Sequence, residues 1–93
     1  MALIDITSNF QKNEEGKYQY ELDSCTGVLQ VERAKSPDDK GIEIYSYLPG
    51  MKPYRRMQSG QTNIQVDLEF HIGMKLLVVS STQVTLAKLL KDE

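Results

Sequence analysis

From Asn63 to Ile72 the chain alternates for ten residues without a break. Ile64, Val66, Leu68, Phe70 and Ile72 fall on one side, and Asn63, Gln65, Asp67, Glu69 and His71 fall on the other. Successive side chains of an extended backbone point to opposite faces, so period two marks a strand with one buried and one wet face. A lone strand has no stability in water and needs neighbours. The rest of the chain supplies them.

Tyr18 to Leu22 alternates in the same way, with Tyr18, Tyr20 and Leu22 on one side. Gly27 to Ala34 and Gly41 to Leu48 also read as strands, and Met74 to Ser80 is apolar enough for a strand covered on both faces. Polar, glycine- and proline-bearing breaks separate these segments: Asn13 to Gly16, Ser24 to Gly27, Ser36 to Gly41, Pro49-Gly50, Ser59-Gly60 and Gly73. Short strands at such regular spacing predict an antiparallel barrel or sandwich.

The C-terminus changes character. Ser80-Ser81-Thr82-Gln83 fits a capping box, with Ser80 as N-cap and Gln83 reaching back. Leu86, Leu89 and Leu90 then share one helical face, and Lys88 and Lys91 sit where a helix dipole favours cations. The rival reading is a final strand, because Val84 and Thr85 are β-branched and Ser80 to Thr82 suits a hairpin turn. The helix reading is preferred. The expected fold is therefore mainly β within an α+β class: a small barrel or sandwich of five to seven short strands within about residues 3–80. An amphipathic helix over about 81–91 would close the end of a barrel or pack on a sheet.

The chain's 93 residues form one domain, 1–93, with no room for a second core. At 40% hydrophobic and 26% charged it is too apolar for disorder. With two Phe and no Trp, its core must be mostly aliphatic. A net charge of −2 argues against a dedicated nucleic-acid or anionic-membrane binder, which needs an excess of Lys and Arg. The N-terminal segment lacks the basic region of a signal peptide, and no apolar run is long enough to span a bilayer. Cys25 is the single cysteine, so no internal disulfide forms. The expected location is the cytoplasm, or the host-cell cytoplasm for a viral protein.

Chemistry is sparse. His71, the single histidine, shares its face with Asp67 and Glu69 but has no second His or Cys at ligand spacing, so it reads as an exposed strand residue. Cys25 lies beside Asp23, Ser24 and Thr26, a field that opposes thiolate formation, and reads as a structural turn thiol. The acidic pairs Glu14-Glu15, Asp38-Asp39 and Asp92-Glu93 read as solvated turn or terminal residues. No glycine loop for phosphate and no nucleotide fingerprint is present. The expectation is a non-enzymatic protein with no catalytic residue, metal or cofactor.

One stretch stands apart. Tyr45 to Gly60, YSYLPGMKPYRRMQSG, gathers three of the five tyrosines and three of the eleven basic residues. Ile42, Ile44 and Leu48 claim the core side of the first strand, which turns Tyr45 and Tyr47 outward beside Glu43. Pro49-Gly50 reverses the chain, and Pro53 to Gln58 returns. A two-residue turn would pair Tyr45 with Tyr54 and Glu43 with Arg56, whereas a longer loop would bring Arg55 to the tyrosines. Tyrosine and arginine offer large contact area at low entropy cost. The functional expectation is thus a protein-interaction or assembly domain, a small accessory protein of cellular or viral type. It would bind a protein partner or a second copy of itself through Tyr45, Tyr47, Lys52, Tyr54, Arg55 and Arg56. The alternative is a small barrel for single-stranded nucleic acid, stacking bases on the same tyrosines and holding phosphates on Lys52, Arg55 and Arg56.

Overall fold

The computed structural model describes residues 2–92. Among the described residues nine strands follow one another: β1 (Ala2–Asp5), β2 (Gln11–Lys12), β3 (Tyr18–Asp23), β4 (Gly27–Arg33), β5 (Ile42–Tyr47), β6 (Tyr54–Ser59), β7 (Asn63–Leu68), β8 (Lys75–Ser80) and β9 (Val84–Lys91). A 3-10 turn, Thr7–Asn9, lies between β1 and β2. The strands form two antiparallel sheets, ordered β1-β9-β4-β7 and β2-β3-β8-β5-β6. The sheets face each other without closing into a barrel, so the architecture is a sandwich of nine strands rather than five to seven.

Alternation builds the core. Leu29 and Val31 of β4, Ile64 and Leu68 of β7, and Ala87 and Leu89 of β9 point inward from the first sheet. Leu22, Ile42, Ile44 and Val78 meet them from the second, with Tyr18 and Tyr20 packed against this cluster. Ile6, 1% exposed, lies where the chain crosses from one sheet to the other, and its amide donates to the Ala87 carbonyl.

The C-terminal helix does not form. Residues 84–91 are β9, and β9 lies in the middle of its sheet, paired with β1 on one side and β4 on the other. Two flanking ladders satisfy its backbone and bury Val84, Ala87 and Leu89, a gain that an isolated two-turn helix cannot match. The Ser80 hydroxyl does make a local bond, but it donates to the Thr82 carbonyl and stabilises the β8–β9 turn. Two apolar assignments also change. The strand beginning at Asn63 stops at Leu68, leaving Phe70 60% and Ile72 86% exposed, and Leu48 lies in the β5–β6 loop at 45% exposure. Loop geometry overrides alternation there, because the chain must bend toward β8.

At one end of the sandwich Arg33 organises three connections. Its guanidinium donates to the carbonyls of Ala34, Gly60 and Gln61, to Thr82 Oγ1 and to the Asp39 carboxylate. Asp39 in turn accepts from the Ser81 hydroxyl and the Gly41 amide. Asp39 is thus a buried partner and not a solvated turn residue.

Candidate interaction site

The β5–β6 hairpin carries every residue singled out as an interaction candidate. Its loop contains a tight turn in which the Met51 amide donates to the Leu48 carbonyl and Gly50 adopts φ +85°. A side chain there would be strained, which is why Pro49-Gly50 can reverse the chain where most pairs cannot. The register follows the longer-loop alternative: Tyr45 pairs with Arg55, and Ser46 with Tyr54. A bulge between Ile44 and Tyr45 in this ladder leaves Arg56 as the extra residue of β6.

That bulge divides the candidate patch between two faces. On the outer face Tyr45 donates to Glu43 Oε2 at 2.5 Å, and Arg55 lies 3.5 Å from the same carboxylate. Tyr47 reaches across β8 to hydrogen-bond the Glu21 carboxylate. Both rings are half-buried, flanking the outward Leu77 and Lys75 of β8. The carboxylate beside Tyr45, then burial, push its phenol above the ordinary tyrosine range. Lys52 and Tyr54 stand exposed at the hairpin's end.

On the inner side, Arg56 Nε donates to Ser46 Oγ at 2.7 Å, and its guanidinium carbon sits 5.8 Å from the centre of the Tyr54 ring. Arg56 and Ser46 border a cleft of about 270 Å³ between β6 and β7, with Ile44, Met57, Val66 and Leu76 among its apolar walls and Asp67, Glu69 and His71 also lining it. The strands β6 and β7 are consecutive, yet each is the last strand of its own sheet and they do not pair. The cleft is the space between these two edges.

Of the other polar candidates, His71 lines the same cleft with Asp67 and Glu69. His71 is 52% exposed on its side chain, with Nε2 3.7 Å from Glu69 Oε2. Cys25 is buried, and burial raises its thiol above the ordinary range, which opposes nucleophilic use. Among the described residues no group of three metal-ligating side chains comes together, and no helix is long and apolar enough to cross a membrane. Reading along the sequence missed the cleft altogether, because Ser46, Met57 and Val66 are distant in the chain and carry no local signature. The single hint was phase: Ser46 sits on the aliphatic side of β5, where a hydroxyl needs a partner.

An antiparallel sandwich with a Tyr/Arg hairpin on one edge is the class these features define. Comparison with protein-family models, with curated proteins and with solved structures finds no match to this chain.

Proposed function

We propose that this chain is a non-catalytic protein-interaction domain that engages a protein partner through the β5–β6 hairpin. The observation that carries this reading is the free edge of the five-stranded sheet. There Tyr54, 68% exposed, lies under the Arg56 guanidinium, and Arg55 stands on the outer face 3.5 Å from the Glu43 carboxylate. An aromatic ring left in water at a strand edge is the kind of group that anchors an interface core. Tyr45 and Tyr47 hold the outer face rigid, since both hydroxyls are tied to carboxylates, so little ordering cost remains on binding.

The same two carboxylates weigh against the nucleic-acid alternative. Glu43 and Glu21 lie among the tyrosines and would oppose a phosphate backbone. The test is affinity capture from native lysate with the chain and with a Tyr54→Ala/Arg55→Ala variant of equal thermal midpoint. A partner retained by the first and lost from the second supports the hairpin. Equal capture by both rejects it, and salt-sensitive retention on heparin that the variant loses transfers the site to nucleic acid.

A further inference from the structure

We propose that this chain forms a two-fold dimer in which β6 of each copy pairs with β7 of the other, setting Arg55 of each across from Asp67 of the other. This rests on the interaction reading above and names the partner of the hairpin as a second copy.

Two open edges lie on one side of the sandwich. β6 and β7 are each six residues long, and each ends its own sheet with a neighbour on one side only. Their other rows of amides and carbonyls are open to pairing, a template for a further strand. The connection between them, residues 60–62, is short, so the two strands run in opposite directions along this side. A two-fold rotation about an axis parallel to the strands exchanges the two sheets and keeps each strand's direction. It sets β6 of one copy antiparallel to β7 of the next, twice over, and so closes both edges of both copies. A single added strand would close one edge and leave the other open.

Charge selects the occupant. β6, YRRMQS, carries Arg55 and Arg56 and no acid, whereas β7, NIQVDL, carries Asp67 and no base, with Glu69 just beyond it. This side of the sandwich therefore has one basic edge and one acidic edge. A surface matches both when it bears the same two edges in exchanged order, and a rotated copy is that surface. Level and face agree with it. Arg55 is the second residue of β6 and Asp67 the last but one of β7, so both lie toward the end away from the connection, and the rotation keeps them level. Arg55 shares the outer face with its ladder partner Tyr45, and Asp67 points away from the buried Ile64 and Leu68. The rotation joins these two outer faces into one, with unlike charges across a ladder, an arrangement that stabilises strand pairs. Arg55 remains 54% exposed beside Glu43, so part of its donor fork is left for a second carboxylate.

The other two-fold, perpendicular to the sheets, would set β6 against β6 and β7 against β7. In register it places Arg55 opposite Gln58 and Arg56 opposite Met57, so no arginine meets an acid. The exchanged pairing also uses the cleft. The clefts of the two copies face each other across the axis, and Met57 and Val66, partly buried in one chain, come to lie between sheets that continue into the second. Apolar surface leaves water there. Two six-residue ladders and two small clefts make an interface at the small end of those that hold dimers, so association is expected to depend on concentration.

The experiment is analytical ultracentrifugation of the full chain from about 1 μM to about 500 μM, a span suited to a small interface. The chain should pass from monomer to dimer. Arg55→Glu and Asp67→Lys, each with an unchanged thermal midpoint, should each weaken self-association tenfold or more. Mixing the two variants should restore dimers to within threefold of the original affinity, because each ladder of the mixed dimer again holds one acid across from one base. Dimers indifferent to both substitutions, or a mixture no better than its components, overturn the proposal. Isotope-filtered NMR on labelled and unlabelled copies of the unaltered chain needs no variant to fold. Contacts between copies should join Met57 of β6 to Val66 of β7 and its neighbours, and contacts from β6 to β6 overturn the exchanged pairing. A chain that stays monomeric throughout overturns the dimer, and the lysate capture then judges the hairpin by itself.

Discussion

Arg33 and Asp39 form an ion pair in which the arginine side chain is wholly inaccessible and the carboxylate side chain is 8% exposed. The same guanidinium holds backbone carbonyls of Ala34, Gly60 and Gln61, so one side chain ties together the β4–β5, β6–β7 and β8–β9 connections. Removing one member of such a pair leaves the other charge buried and unmatched. Arg33→Ala should therefore destabilise the fold by about 3–5 kcal/mol. Chemical denaturation of the variant measures it, and a change under about 1 kcal/mol would show that solvent replaces the pair.

The pair also sets a response to acid. Hydrogen bonds from Arg33, and after it Ser81, hold the Asp39 carboxyl well below its ordinary 3.8. A depressed folded-state pKa contributes stability that is complete above the unfolded value and lost as pH falls toward the folded one. The contribution should be present above about pH 4 and decline steadily below it. Asp39→Asn should flatten this part of the stability profile, which thermal midpoints between neutral and acid pH will read.

On the alkaline side the sign reverses. The Glu43 carboxylate raises the Tyr45 phenol above its ordinary 10.0, so its contribution is complete below that pH and is lost as pH rises beyond it. Near-ultraviolet titration should find a phenol that ionises above the ordinary tyrosine range. Glu43→Gln should bring it back, and an unchanged profile would mean the bond to Tyr45 does not persist in solution.

Core and tip should respond differently to the same truncation. Leu29→Ala, at a site with no exposure, should cost about 2–5 kcal/mol, and Leu68→Ala, 7% exposed, should fall in the same range. Phe70→Ala and Ile72→Ala should change stability by less than about 1 kcal/mol, because both side chains are largely in water. Denaturation midpoints for the four variants give the comparison. A large loss at Phe70 would place it in the core after all.

Removing residues 86–93 deletes most of β9 and breaks two ladders at once, to β1 and to β4. The product should lose cooperative unfolding and aggregate, since β4 is left with an open edge. Circular dichroism and light scattering of the truncated chain will show it. A soluble, cooperatively melting product would mean that β9 is dispensable.

Local alternation determined much of this protein by itself. Ile42 and Ile44 against Tyr45 and Tyr47, Ile64 and Leu68 against Gln65 and Asp67, and the inward Tyr18 and Tyr20 were all readable as phases of a strand. Period two is a property of the extended backbone and needs no knowledge of neighbours. Tertiary structure alone decided the rest. Residues 84–91 suit a helix by capping and leucine spacing, and they became a central strand because two non-local ladders outweigh local propensity. Phe70 and Ile72 continue the alternation but fall beyond the last ladder pair of β7, so nothing covers them. Tyr45 to Gly60 was legible as a Tyr/Arg hairpin, whereas its division into an outer face and a cleft side followed from one bulged residue, Arg56. A bulge is set by how two strands meet, and no single strand encodes it.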